Sequence, residues 1–447
     1  MSPELTTAGI FLTLIFFLLT GFPVGFALIG VSLIWLLVLL GPGILQLVPP
    51  TIFDTGTTEI FIAAPLFIFM AVGLERSGIG TMLYDAMHKW TSGVAGGLAA
   101  GTIAAAALID AMTGIGGTAV LVLGVLAIPE MIRRGYTARV AIGSLPPSGA
   151  LGVLIPPTVI GVLLGGFAGI PVGHLFFGAA IPGFLIAIMF AIYVLIRCAI
   201  TPRLAPPVPV EDRPTWGERF RATGQITLPV LLVTVVLGSI WYGIATPSEA
   251  AGIGALGTLL IGLFRRQLSI PIMREILTAS AQVSVMVLTL LTGGALFSRL
   301  LQLSGSANLV AHMVIGIDVG VVGTLLIFVG IATLLGMFID GAAIIFIVTP
   351  FMMTVVRTLG IDPVWFGVIL MISIAAGYVT PPFGMNLFYL KGIISQVQHL
   401  PGCDSLKTLN IRDIWAAVLP YVILMYVALA LVILFPALAT WLPSQMR

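Results

Sequence analysis

The chain has 447 residues, 59% of them hydrophobic and only 8% charged, with a formal net charge of +2. Soluble domains carry about 25% charged residues, so this composition excludes an ordinary soluble protein and predicts an all-α polytopic membrane protein. The small net charge gives no case for nucleic acid, Cys198 and Cys403 are too few for a disulfide framework, and four scattered histidines with no CxxC or HExxH pattern give no metal or haem site.

No Lys or Arg precedes Arg76, so a basic signal-peptide start is not expected. Residues 8–40 are apolar and interrupted by Gly21-Phe22-Pro23. A single helix there would be about 48 Å long against a hydrocarbon core of roughly 30 Å, which predicts one kinked helix or a helix plus a shorter piece. Residues 60–74 read as a short span ending at Glu75-Arg76, and the amphipathic residues 80–90, with Asp85, His88 and Lys89, as an interfacial helix. Residues 94–128 are apolar and rich in Gly and Ala, with Asp110-Ala111-Met112-Thr113-Gly114-Ile115-Gly116-Gly117-Thr118 at their middle. Each arm is short for a crossing and the middle is built to turn, so a helical hairpin is predicted. Residues 140–165 are broken at Pro146-Pro147 and Pro156-Pro157. A span at 172–196 and a polar linker at 197–224 with five arginines follow.

Residues 226–244 and 250–264 read as two spans. Between them Thr246-Pro247-Ser248-Glu249 fits a capping box, which assigns Glu249 to helix initiation in preference to an ion ligand. Another span covers 276–300, with Arg299 at its outer end assigned to interfacial snorkelling in preference to substrate contact, and a segment without Lys or Arg covers 301–317. The apolar run at 319–354 then carries Gly336-Met337-Phe338-Ile339-Asp340-Gly341. A carboxylate at bilayer depth costs roughly 2.5–3.5 kcal/mol on insertion scales, so Asp340 needs a cation, a proton or helix-end amides. Capping a re-entrant turn and holding an ion are both open to it. Residues 365–390 break at Pro381-Pro382, and a loop with Lys391, Lys407 and Arg412 precedes a last span at 414–442.

Basic residues concentrate at 130–139, 197–221, 265–274 and 391–412, which places those loops in the cytoplasm. An odd crossing at 276–300 then makes the Asp340 hairpin enter from the face opposite the first hairpin. The order span, surface helix, hairpin, broken helix occurs twice. Gly135 lies 21 residues before Pro156, and Gly360 lies 21 before Pro381. Leu74-Glu75-Arg76-Ser77-Gly78 pairs with Leu301-Gln302-Leu303-Ser304-Gly305 at nearly the same offset. An inverted repeat with two re-entrant hairpins and two broken helices is a transporter architecture.

Pro65-Leu66-Phe67-Ile68-Phe69-Met70, Ile128-Pro129-Glu130-Met131, Gly149-x-Leu151-Gly152 with Ile155-Pro156-Pro157, Ile181-Pro182-Gly183, Gly336-Met337-Phe338-Ile339-Asp340, Gly360-Ile361-Asp362-Pro363 and Thr380-Pro381-Pro382-Phe383-Gly384-x-Asn386-Leu387-Phe388 together resemble the large membrane subunit of tripartite ATP-independent periplasmic (TRAP) transporters. The resemblance covers nearly the whole chain. It implies sodium-coupled import of a small organic anion, such as a carboxylate, by an elevator movement in the cytoplasmic (inner) membrane of a bacterium or archaeon. It also implies a periplasmic binding protein that delivers the anion, a separate small membrane subunit of about four helices, contact with membrane lipid, and no enzymatic activity. The implied division is scaffold and arm at 1–93, transport unit at 94–165, scaffold and second arm at 166–317, second transport unit at 318–395, and C-terminal loop and helix at 396–447. Carried over by motif, one ion site would involve Thr113, Gly117, Thr118, Gly149 and Gly152, and the other Asp340, Gly377 and Thr380. Pro156, Pro157, Pro381, Pro382 and Asn386 would face the substrate.

One departure concerns the first tip. Many members carry Ser-Gly-Ser-Ser where this chain has Thr113-Gly114-Ile115-Gly116-Gly117, so hydroxyls are lost and the sodium count is left open. Asp110 either compensates or is satisfied within the hairpin. Two rival readings are a self-sufficient carboxylate or oxyanion carrier of the same plan, and an intramembrane enzyme or redox subunit. The second would need paired catalytic residues or His ligands inside spans, and the sequence has none.

Overall fold

The computed structural model describes residues 2–446, and its regular structure there is helical. The chain opens with α1 (Pro3–Leu19) and α2 (Val24–Leu40), two helices of equal length where a kinked or uneven pair was expected. Gly21 at φ 77° and Pro23 at the N-cap of α2 stop α1 and reverse the chain. Across the pair, the Trp35 indole N–H donates to Thr13 Oγ1 at 3.2 Å. Residues 41–58, unassigned from sequence, form a 3₁₀ turn (Pro42–Leu47) and α3 (Val48–Thr57). This stretch is bent by 56° from α4 (Glu59–Arg76).

The predicted surface helix is α5 (Ile79–Thr91), and the predicted hairpin is α6 (Gly97–Thr113) with α7 (Thr118–Arg133). Burial and the nearby Arg134 guanidinium hold His88 of α5 below its ordinary pKa. The first broken helix is more fragmented than the second. It runs through α8 (Ala138–Gly143), α9 (Leu145–Gly149), a 3₁₀ turn (Leu151–Val153) and α10 (Val159–Ala168). The interruption at Ser144 follows from Pro146 and Pro147, which force a fresh helix start.

After α11 (Val172–Ile200) comes α12 (Trp216–Trp241), which begins at 216 and not at 226. A capping box overlooked in the sequence explains the earlier start: Thr215 N donates to Glu218 Oε2 at 2.8 Å, and Glu218 N donates to Thr215 Oγ1 at 3.4 Å. The predicted box before α13 (Pro247–Phe264) is present, with Thr246 N donating to Glu249 Oε2 at 2.8 Å. Then follow α14 (Ile270–Leu303), the second surface helix α15 (Ser306–Gly316), the second hairpin α16 (Gly320–Gly336) and α17 (Gly341–Thr358), and the second broken helix α18 (Pro363–Val379) and α19 (Met385–Val397). The expected last span is split: α20 (Ile411–Leu434) stops before Pro436, and α21 (Ala437–Ser444) packs on α11.

Among the described residues α11, α12, α13, α14, α17 and α20 are long and apolar enough to cross a bilayer. Packing is crossed between the two halves. Helix α2 lies on α14 and α1 on α15, while α13 lies on α4 and α12 on α5. Glycines allow the closest of these approaches: a Cβ at Gly293 of α14 would stand 2.6 Å from the Gly25 carbonyl oxygen of α2. The hairpins cross in the same manner, α7 packing on α19 and α17 on α10.

Candidate functional site

The crossed packing brings both hairpin tips to both helix breaks. The first tip is the loop Gly114–Gly117. Gly114 (φ 61°) and Gly117 (φ 88°) occupy the left-handed region that glycine adopts at no steric cost, so the run turns where a helix would otherwise continue. The tip threads into the first break. Gly117 N donates to Gly149 O at 2.7 Å, and Val159 N donates to Gly114 O at 3.0 Å. A Cβ on Gly114 would collide with the Pro157 carbonyl oxygen.

The second tip is Met337–Asp340. Asp340 is the N-cap of α17, its Oδ2 accepting from Ala342 N at 2.9 Å. Its Oδ1 accepts from the Tyr378 hydroxyl at 3.1 Å, and that hydroxyl accepts in turn from Gly341 N at 2.7 Å. The capping role considered for Asp340 is therefore filled, and the carboxylate keeps oxygen lone pairs for a further partner. Behind it, α16 and α18 meet backbone to backbone at Gly336 and Gly377. Thr380 sits at the C-cap of α18 and donates to Ala376 O at 2.7 Å.

Two side chains tie the half-sites together. A Cβ at Gly116 would meet the Tyr378 ring, so Tyr378 touches the first tip while bonding the second. Asn386 lies against Gly117 and donates from Nδ2 to Pro146 O at 2.8 Å, joining the second break to the first. Asn386 is fully buried, and its Oδ1 has no hydrogen-bond partner. Both breaks carry a cis Pro-Pro bond, at Pro156-Pro157 and at Pro381-Pro382. Pro156 and Pro157 are buried, Pro381 is half-buried and Pro382 exposed. Phe383 packs on Phe338 of the second tip, with ring centroids 4.7 Å apart.

The structure thus gathers Gly117, Gly149 and Gly152 at one tip and Asp340, Gly377 and Thr380 at the other. Thr113 is buried with its hydroxyl unpartnered, but it lines a cleft with Leu74, Ile79 and Val122 on the α4–α5 side. Thr118 contributes its backbone N–H to Ile115 O at 3.4 Å. Sequence reasoning passed over Tyr378 and Tyr389, whose rings abut the first tip. The signal was present: Tyr378 is one of two hydroxyl-bearing side chains in α18, two residues before Thr380.

Tyr378→Phe is expected to leave Gly341 N unpaired and remove one donor from Asp340, at a cost of about 1–3 kcal/mol. Denaturant unfolding in micelles measures it, and a change within about 0.5 kcal/mol would refute the bridge.

Around this arrangement helix ends of both polarities converge. The C-termini of α6, α16 and α18 offer carbonyls suited to a cation, and the N-termini of α7, α10, α17 and α19 offer amides suited to an anion. Residues 11–438 match the family described as "Tripartite ATP-independent periplasmic transporter, DctM component". The isethionate TRAP transporter permease DctMQ of Oleidesulfovibrio alaskensis is 28% identical over 94% of the chain, which spans 64% of that longer protein. The C4-dicarboxylate TRAP transporter large permease DctM of Pseudomonas aeruginosa is 27% identical over 93% of both chains. The fold is also that of the Alcanivorax borkumensis YdaH transporter, with TM-score 0.63 and 17% identity over 90% of each chain.

Proposed function

Since the chain belongs to the DctM component family of TRAP transporters, multi-pass permease subunits of the inner membrane and not enzymes, we propose that it imports a small organic anion coupled to sodium. A periplasmic binding protein delivers the anion, and a small membrane subunit completes the scaffold, as the family implies. The relatives named for isethionate and C4-dicarboxylates bracket the substrate class as small sulfonates and carboxylates. The supporting observation is the convergence of two tips and two breaks, joined through Tyr378 and Asn386.

In this reading residues 94–165 and 318–395 move together against the remaining helices, carrying the site across the membrane. Sodium binds at Asp340, Gly377 and Thr380 and at the first tip among Thr113, Gly117, Thr118, Gly149 and Gly152. Its charge offsets that of the anion, so the loaded site crosses at lower cost than either charge alone. The anion lies by Pro156, Pro157, Pro381 and Pro382, facing helix N-termini. Asn386, which uses one of its two amide hydrogens on Pro146 O and has Oδ1 unpartnered, faces the anion with these prolines.

The test is uptake into proteoliposomes holding the chain with its small subunit, under an inward sodium gradient, with a panel of labelled carboxylates and sulfonates. Uptake requiring both sodium and the binding protein is expected. Sodium-driven uptake without the binding protein would favour a self-sufficient carrier. Uptake driven by protons and indifferent to sodium would refute the coupling ion.

A further inference from the structure

Asp110 sits on the last turn of α6, in the middle of the first hairpin, with no exposed surface. Neither carboxylate oxygen has a hydrogen-bond partner. The backbone amides of Gly152 and Ala119 face the carboxylate as weak donors outside strict hydrogen-bond geometry, and among the described residues no Lys, Arg or His forms an ion pair with it. A buried carboxylate with only weak amide contacts is short of partners as an anion.

A second oxygen shares the spot. A Cβ built on Gly152 would stand 3.1 Å from Asp110 Oδ1 and 2.9 Å from the Ile115 carbonyl oxygen, so the two oxygens flank one point beside the first break. The lack of a side chain at Gly152 is what lets both oxygens approach its backbone. A buried carboxylate without an ion-pair partner and a carbonyl at the tip, both packed against the bare Cα of Gly152, bring two oxygens together beside the first break. Hard monovalent cations take such oxygens.

We propose that the Asp110 carboxylate and the Ile115 carbonyl oxygen are sodium ligands of the first hairpin. The site then relies on a formal charge within α6, because the tip Gly114-Ile115-Gly116-Gly117 carries no side-chain oxygen. The proposal rests on the sodium-coupled reading above and adds a ligand set to it. It also makes the two hairpins alike in principle, each presenting one carboxylate: Asp340 at the tip of the second, and Asp110 one turn behind the tip of the first.

The experiment is equilibrium binding of radioactive sodium to the purified chain, for wild type, Asp110→Asn, Gly152→Ala and Asp340→Asn. Asp110→Asn removes the charge at constant shape, and a neutral amide there needs no cation, so this variant is expected to fold. It should bind one sodium ion fewer than wild type. Gly152→Ala places a methyl between the two oxygens and should lose the same ion, and Asp340→Asn should lose a different one. Wild-type sodium binding with Asp110→Asn undiminished would overturn this assignment while leaving sodium coupling intact. A wild type that binds no sodium at all would overturn both. An infrared carboxylic-acid band that is absent from Asp110→Asn, and that sodium fails to remove from wild type, would make Asp110 a fixed protonated group and overturn the assignment.

Discussion

Asp340→Asn is expected to abolish sodium-driven uptake while leaving the protein folded. The two roles of Asp340 can be separated because asparagine caps helices about as well as aspartate. The carbonyl oxygen of an asparagine at 340 can still accept from Ala342 N, the contact now made by Oδ2 at 2.9 Å. What disappears is the negative charge and one oxygen. Exchanging a charged ligand for a neutral one is expected to weaken sodium binding by about 100-fold, or about 2.8 kcal/mol. The change shows as a rise in the sodium concentration for half-maximal uptake and a rate near background at ordinary sodium levels. Asp340→Ala removes the cap as well and should add about 1 kcal/mol of destabilisation. Wild-type sodium dependence in Asp340→Asn, with the protein folded, would reduce Asp340 to a cap and remove the second ion site.

Much of this architecture was legible because the punctuation is covalent. Glycine at the tips and proline at the breaks act on the backbone locally, so both hairpins and both broken helices could be placed from residue order alone. The capping box at Thr246 was read for the same reason, and the one at Thr215 was equally readable but lay inside what looked like a charged linker. The split between α20 and α21 escaped because Pro436 sits in an apolar run whose hydropathy hides the interruption. The bonds that join the half-sites were a harder matter. Asn386 reaches Pro146 across 240 positions and Tyr378 reaches Asp340 across 38, and no periodicity encodes either contact. Asp110 shows the same limit. Its presence in an apolar hairpin flagged it, but only the fold shows that no side chain reaches its oxygens.

Gly377→Ala is expected to be the most damaging single-methyl change near the second site. A Cβ at Gly377 of α18 would lie 2.7 Å from the Gly336 Cα and 2.8 Å from the Thr333 carbonyl oxygen of α16. Both are backbone atoms of a packed helix, so no rotamer can yield and the two helices must part. Overpacking of this kind costs about 1–3 kcal/mol. Helices in a membrane rely on such close approaches because no hydrophobic force drives them together in lipid. The Thr333 hydroxyl donates to Ser373 O at 3.3 Å across the same seam and would be pulled apart as well. Because α16 leads directly into the second tip, the displacement carries to Asp340, and sodium affinity should fall together with stability. The reciprocal change, Gly336→Ala, meets its nearest atoms at 3.1 and 3.2 Å and should cost less. Gly330→Ala, on the same helix with nothing within 4 Å, should be neutral or stabilising by up to about 1 kcal/mol through helix propensity. Thermal unfolding of the three variants in one detergent tests the order Gly377→Ala, Gly336→Ala, Gly330→Ala from worst to best. If Gly377→Ala matched Gly330→Ala, the seam would be looser than this geometry requires, and α16 could move without α18.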